Sequence, residues 1–145
     1  MLSVALRRFG SRIHRSFTTT MYTPSHEWIR FENPGKAVIG ITHHAQKELG
    51  DVAFVDLPEI GATLGKGDDV VAIESTKAVG DIQMPVDGEI EEVNTSLVDN
   101  PDLINQDPEG KGWIFSFKYD DHKALTENKM DRENYDKFLE NIKGE

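Results

Sequence analysis

The chain of 145 residues contains no cysteine. This absence excludes disulfides, thiolate metal sites and catalysis by a protein thiol, so any sulfur chemistry requires a sulfur atom supplied by a bound group. No apolar run approaches the roughly 18 residues needed to span a bilayer, and we therefore expect no membrane partner. The length suits one domain with its own core.

Acidic residues are missing from the start of the chain. The first is Glu27, whereas residues 1–20 carry four arginines among hydroxyl and apolar side chains. This composition is typical of a mitochondrial transit peptide, because a secretory signal would have an uninterrupted apolar core. We predict a transit peptide over 1–20, ending as late as residue 24, and a single domain over 21–145 in the mitochondrial matrix. An amphipathic helix that binds a membrane surface is the alternative.

Basic residues are scarce in the rest of the chain. Four of the 16 precede Glu27, so 12 remain against all 26 acidic residues, a net charge of −14. Such a surface repels the phosphates of nucleic acids and anionic membranes. We expect no nucleic acid partner and infer that the chain binds proteins with basic docking faces.

Short runs rich in Val, Ile and Phe alternate with turn signals, a pattern that predicts a mostly β domain built as an antiparallel sandwich or barrel. The turns carry Pro and Gly, which suit tight connections between strands. The predicted strands are Glu27–Phe31, Ala37–Thr42, Val52–Leu57, Asp69–Ile73, Asp81–Met84, Glu89–Val93 and Trp113–Lys118.

Two segments have the signals of helices. A short helix is predicted near 43–49, with Thr42 as its N-cap and Gly50 just past its end. Residues 130–143 place apolar side chains at helical spacing, which predicts a C-terminal helix packed on the sheets. Between the last two predicted strands lies a long polar segment at 98–113, which is either functional or a surface excursion.

The residue patterns of catalysis and metal binding are also missing. His43 and His44 are adjacent, so on a helix they diverge by about 100° and cannot chelate one ion on one face. We expect His26 to be a hydrogen-bonded structural residue. No nucleophile elbow or phosphate-binding glycine spacing is found, and we predict a protein without catalytic or metal-ligating residues.

One lysine stands out by its position. In "VAIESTKAVGDIQMPVDGEI" at 71–90, Lys77 separates two predicted strands and falls at or near the tip of a hairpin. A lysine at such a tip extends into water on a flexible stem, where a modifying enzyme can reach it. A Schiff-base lysine would usually be desolvated, so this position favours a carrier over a catalyst. A solvated surface charge is the alternative.

The segment around Lys77 resembles the lipoyl-attachment segment of the glycine cleavage H-proteins. The resemblance extends through "YTPSHEWI" at 22–29, "GITHHAQKELGDVAFVDLPEIG" at 40–61 and "NPDLINQDPEGKGWIFSFK" at 100–118. It covers essentially the whole predicted domain. The family's lipoyl-type fold, a barrel-sandwich hybrid of two antiparallel sheets, is the implied architecture.

The resemblance further implies covalent lipoate on Lys77, as N6-lipoyllysine. Glu74 matches the family position that lipoate-attaching enzymes recognise. Biotin carriers share the general fold, but methionines typically flank their lysine, whereas Thr76 and Ala78 stand here.

The function implied is that of a lipoyl-carrying shuttle between enzymes. A pyridoxal-phosphate glycine decarboxylase loads an aminomethyl group, an aminomethyltransferase passes its carbon to tetrahydrofolate, and an FAD- and NAD-dependent dihydrolipoamide dehydrogenase reoxidises the dithiol. The protein itself is a non-catalytic component. A lipoyl donor for other mitochondrial complexes is the alternative function, and an unmodified interaction module is a third.

Family members shelter the loaded arm in a cleft, and by motif position this role falls to Ser25, Glu27 and Asp81. A protonated amine would favour a carboxylate partner. From the residues alone, Ser25 and Asp81 could be turn or cap residues and Glu27 a solvated strand edge. Two positions depart from the family pattern. Gly80 falls at an expected turn position where relatives often have a residue with a side chain, and glycine there would loosen the hairpin. Glu48 places an acid on the short helix where some members have a basic or neutral side chain. Because of Glu48, no cleft residue of that helix is assigned.

Overall fold

A computed structural model describes residues 19–143, which form two antiparallel sheets with five helices around them. The strands are β1 (Thr19–Tyr22), β2 (Glu27–Asn33), β3 (Lys36–Ile41), β4 (Val52–Asp56), β5 (Thr63–Leu64), β6 (Asp69–Ser75), β7 (Val79–Gln83), β8 (Gly88–Val93) and β9 (Phe115–Tyr119). The helices are α1 (His43–Leu49), α2 (Ser96–Asp99), α3 (Leu103–Gln106), α4 (His122–Thr126) and α5 (Arg132–Lys143).

The larger sheet has the strand order β1-β2-β3-β9-β8-β5, and the smaller one the order β4-β6-β7. All pairs are antiparallel. The mostly β class, the two sheets and both predicted helices are confirmed. Among residues 19–143, no helix is long and apolar enough to cross a membrane.

The seven predicted strands correspond to seven of the nine strands described, with ends that differ by up to two residues. The sequence did not reveal β5, because two residues are too short to show alternation. It also did not reveal β1, which includes Thr19 and Thr20 of the predicted transit peptide. The rest of that peptide lies outside the described residues, and the peptide remains a prediction.

The main core lies between the two sheets. It is built from the inward-facing aliphatic and aromatic side chains of the strands. Fully buried members from both sheets are Ile29, Ile39, Ile73, Ile82, Ile90, Phe115 and Phe117. Burial of this apolar surface is the main force that holds the smaller sheet against the larger one.

A second cluster fixes the C-terminal helix on the other face of the larger sheet. Tyr22 of β1 stacks on Tyr135 of α5 with ring centroids 4.9 Å apart. Trp28 of β2 is 1% exposed, and its indole lies over Gly40, where a Cβ would stand only 2.6 Å from the ring. A side chain at Gly40 would therefore displace the tryptophan.

The segment 98–113 is not a featureless loop. It contains the end of α2 and the whole of α3, and it contributes the carbonyl of Pro108 that accepts the Trp28 Nε1–H at 2.9 Å. Because this bond links the segment to a buried tryptophan, the segment is part of the folded scaffold.

Candidate functional site

Lys77 lies in the three-residue connection between β6 and β7. Pairing of the two strands continues up to Glu74 and Val79, which are directly opposite each other. The connection is closed by the bond from the Ser75 amide to the Ala78 carbonyl, 2.8 Å long. The predicted hairpin with an exposed lysine at its tip is therefore confirmed.

The side chain of Ser75 organises the turn. Its Oγ accepts the amide of Lys77 at 3.2 Å and the amide of Ala78 at 3.0 Å, and it donates to the Ala78 carbonyl at 2.9 Å. Serine is common in turns for this reason, since its hydroxyl bonds nearby backbone groups. Ser75 is not among the residues predicted from the sequence, although a serine next to a turn is an available signal.

The turn rests on the connection between α1 and β4. Thr76 donates its amide to the Asp51 carbonyl at 3.1 Å. The aliphatic stem of Lys77 passes over Gly50, where a Cβ would stand 3.4 Å from Lys77 Cε. Gly50 has φ of +85°, so glycine suits this position both for its conformation and for the space it leaves.

Asn105 of α3 holds that connection in place. Its Nδ2 donates to the Gly50 carbonyl and to Gln46 Oε1, and its Oδ1 accepts the Val52 amide, each at 2.9 Å. These bonds join residues more than 50 positions apart, so no local pattern could have revealed them. Asn105 is a positioning residue for the hairpin of Lys77.

A cleft of about 460 Å³ lies between the start of β2, helix α1, strand β7 and the end of α5. Ser25, Glu27 and Asp81 all line it, so the structure brings together the three predicted cleft residues. Its apolar wall includes Ile41, Leu49 and Ile142. Helix α1 also contributes Glu48 and His44, neither of which was predicted to lie in the cleft.

Glu27 is not a solvated strand edge. It is half-buried, and its Oε1 accepts the hydroxyl of Thr23 at 2.6 Å and that of Ser25 at 2.8 Å. Within residues 19–143, Oε2 has no hydrogen-bond donor. A carboxylate with one oxygen fixed and the other open can bind a cation in the cleft.

The same three residues face a second cavity of about 370 Å³. Lys66 and Lys129 also line it. Burial, and then the positive charge of Lys66, lower the pKa of Lys129. Ser25, Glu27 and Asp81 therefore separate a cleft with an apolar wall from a cavity lined by two lysines.

His26 connects the cleft to the C-terminal helix. Its Nδ1 lies 2.8 Å from the Tyr135 hydroxyl, which in turn lies 2.8 Å from Thr42 Oγ1. Its ring lies 4.4 Å from that of His44, whose Nε2 is 3.2 Å from Glu48 Oε1. The predicted structural role of His26 is confirmed by these contacts.

The pKa of His26 lies below its usual range. Burial is the largest cause and the neighbouring His44 the second, while the negative charge of Glu48 acts in the opposite direction. His26 also has φ of +72°, an uncommon conformation for a residue with a side chain. The local structure therefore favours the neutral imidazole.

The expectation for Gly80 was wrong. Gly80 lies inside β7, opposite Ile73, and not in the turn. The three residues Thr76 to Ala78 suffice to reverse the chain, so β7 has already begun at Val79. A Cβ at Gly80 would make an ordinary contact of 3.5 Å with Leu49, so the space around this position does not require glycine.

Comparisons with known proteins agree with this arrangement. Residues 20–142 match the family model "Glycine cleavage H-protein". The chain is 52% identical over 119 residues to the glycine cleavage system H protein of Aeromonas hydrophila and 50% identical to that of Escherichia coli. Each alignment covers 82% of this chain and 92% of the relative.

A solved structure gives the same result. The crystal structure of a glycine cleavage system H protein from Mycobacterium marinum superimposes with a TM-score of 0.69 at 37% identity. The match covers 81% of this chain and 93% of that one. The chain belongs to the glycine cleavage H-protein family, whose members are the lipoyl carrier components of the glycine cleavage system.

The position of His26 predicts a pH dependence of stability. With its folded pKa lowered, the folded protein binds fewer protons than the unfolded chain, so the free energy of unfolding falls as pH drops below about 6.5. We expect His26→Asn, which tolerates positive φ, to reduce this fall in denaturant titrations between pH 5 and 8. The same substitution at His122, which bonds Tyr119, is the control. Equal pH profiles for His26→Asn and the parent protein would contradict the assignment.

Loss of Asn105 should loosen the support of the lysine hairpin. We expect Asn105→Ala to lower the free energy of unfolding by about 1–3 kcal/mol, because buried polar groups lose their partners. Hydrogen exchange at the Val52 and Thr76 amides should accelerate beyond that global change. Asn134→Ala, on the exposed face of α5, is the matched control. If Thr76 exchanges at the parent rate in Asn105→Ala, Asn105 does not position the hairpin.

Proposed function

We propose that Lys77 is the residue to which lipoate is attached, and that the protein carries the aminomethyl group of glycine between enzymes on that arm. The observation that carries the proposal is an exposed lysine at the tip of a hairpin whose backbone is fixed on both sides. A long arm needs a free side chain, and a transfer between defined partners needs a rigid base.

The residues around Lys77 fit a covalent acyl group. The amide would form when Nζ attacks the carbonyl carbon of an activated lipoyl group, with release of the activating group and one proton. Exposure of Lys77 allows that attack, and the hydrogen bonds of Ser75 keep the turn in place. When bound, lipoate supplies a disulfide ring that can accept an aminomethyl group and two electrons.

The cleft is suited to shelter an ammonium group at the end of the loaded arm. Glu27 is the proposed partner of that cation, because two hydroxyl groups hold one of its oxygens and leave the other open. Ser25 and Asp81 add polar atoms to the cleft, and its apolar residues would shield the group from water. Exclusion of water would slow hydrolysis of the adduct.

The proposed partners are a pyridoxal-phosphate glycine decarboxylase, a tetrahydrofolate-dependent aminomethyltransferase, a dihydrolipoamide dehydrogenase and a lipoate-attaching enzyme that recognises Glu74. The net charge of −14 from Glu27 onward supports docking on basic faces of these proteins. The exposed carboxylate of Glu74, three residues before Lys77, supports its role in recognition.

We also propose the mitochondrial matrix as the location. Four arginines and no acidic residue in 1–20 support this assignment, and the family match begins at residue 20. Tyr22 is buried on Tyr135, so a cleavage that removes Tyr22 would also remove a packed ring from the second cluster. We therefore place the processing site before Tyr22.

Intact mass of the protein from its native cells, with fragmentation of the peptide containing Lys77, tests the attachment. We expect a lipoyl increment on Lys77, none in Lys77→Arg, and an N-terminus before Tyr22. A bare Lys77 in cells that make lipoate would contradict the proposal. A leader that persists in the mature protein would separately contradict the location.

Removal of the Glu27 charge should destabilise the loaded state. We expect Glu27→Gln to speed loss of the bound aminomethyl group by about tenfold, because a charge-assisted bond becomes a neutral one. The measurement is release of the labelled group from the loaded protein over time. Glu59→Gln, in an exposed loop, is the control. Equal release rates for Glu27→Gln and the parent protein would exclude this role.

A further inference from the structure

Three residues form a row across the outer face of the smaller sheet. Phe54 of β4 is directly opposite Glu74 of β6, and Glu74 is directly opposite Val79 of β7. Directly paired residues of antiparallel strands share a face and have Cβ atoms about 5 Å apart. Phe54, Glu74 and Val79, called the Phe54 row below, therefore place a carboxylate between two apolar side chains.

The Phe54 row is exposed without a structural reason within the described part of the chain. Phe54 is 53% exposed and Val79 62% exposed, although both could have been polar at no cost to the core. Glu74 makes no ion pair with any residue of 19–143. Single exposed apolar residues are common, but here two of them flank an unpaired charge.

The next row of the same face is acidic and contains no bulky apolar group. Asp56, Ala72 and Asp81 are directly paired across the three strands, two residues further along each strand from the lysine turn. The face therefore carries the carboxylates of Glu74 and Asp56, with apolar contacts at one end only, while Asp81, on the edge strand β7, also lines the cleft described above. A partner surface complementary to this face would be basic, with an apolar group on either side of one positive charge.

The position of the Phe54 row indicates which partner covers it. Glu74 is three residues before Lys77 and Val79 two residues after it, so the row borders the turn. A lysine stem spans only about 6 Å from Cα to Nζ. An enzyme that acylates Nζ must therefore come within about that distance of the turn, which the Phe54 row borders, whereas an enzyme that acts on the end of an attached arm can stand further away.

We propose that the Phe54 row is the docking face for the lipoate-attaching enzyme, which presents a basic side chain to Glu74 and apolar surface to Phe54 and Val79. The proposal rests on attachment at Lys77 and adds two contact residues to Glu74. It also explains why the apolar residues lie at the end of the sheet that carries the turn.

The experiment uses the full chain without lipoate, free lipoate, ATP and a purified lipoate–protein ligase, with intact mass as the readout. Phe54→Thr and Val79→Thr keep strand-forming side chains and remove apolar surface. We expect roughly tenfold and a few-fold losses of kcat/KM for attachment, respectively. Combining Phe54→Thr with Glu74→Gln should cost less than the product of the single effects.

Val98→Thr is the matched control, because Val98 is 66% exposed on α2 and lies outside the row. Thermal unfolding should show that all variants are folded. Each variant is then driven to full attachment by prolonged incubation and assayed with glycine decarboxylase, where rates close to the parent's are expected.

The outcomes separate the two proposals. Slower attachment with normal decarboxylation supports the docking face. Attachment at the parent rate, whether or not decarboxylation is impaired, overturns the docking face. Equal impairment of both reactions overturns the assignment of that face to the attaching enzyme. Failure of the parent protein to accept lipoate on Lys77 would overturn the proposed function itself.

Discussion

The hydrogen bonds that hold the backbone on both sides of Lys77 are the constraint on which the site depends. The hydroxyl oxygen of Ser75 accepts hydrogen bonds from the amides of Lys77 and Ala78, and the carbonyl of Asp51 accepts one from the amide of Thr76. Fixing the backbone removes conformational freedom from the turn and leaves it in the side chain. The lysine can therefore move while its point of origin stays fixed.

The support of this turn extends well beyond it. Asn105 connects α3 to the α1–β4 connection, and Pro108, three residues later, accepts the indole of Trp28 in the larger sheet. The small sheet that carries the lysine is thus joined to the larger one by hydrogen bonds as well as by the core. Helix α1 contributes to both regions, since it lines the cleft and ends just before Gly50, which lies under the lysine stem.

Much of this arrangement could be predicted from the sequence. Alternating apolar residues predicted seven strands, and Thr42 and Gly50 predicted both ends of α1, because these signals are local. The hydrogen bonds that Glu27 accepts from two hydroxyl groups, and those made by Asn105, form only in the folded chain. No pattern in the sequence therefore predicted them. Phe54 and Val79 were also missed, because exposed and buried apolar residues look the same in a strand pattern.

The two sheets differ in the length of sequence that their strands span. Strands β4, β6 and β7 come from the continuous segment 52–83, whereas the larger sheet joins residues as distant as Thr19 and Tyr119. The cleft additionally needs α5 at the other end of the chain. Pairing of nearby segments requires less loop closure and is generally faster. During synthesis, the strands that flank Lys77 can therefore pair before α5 completes the cleft.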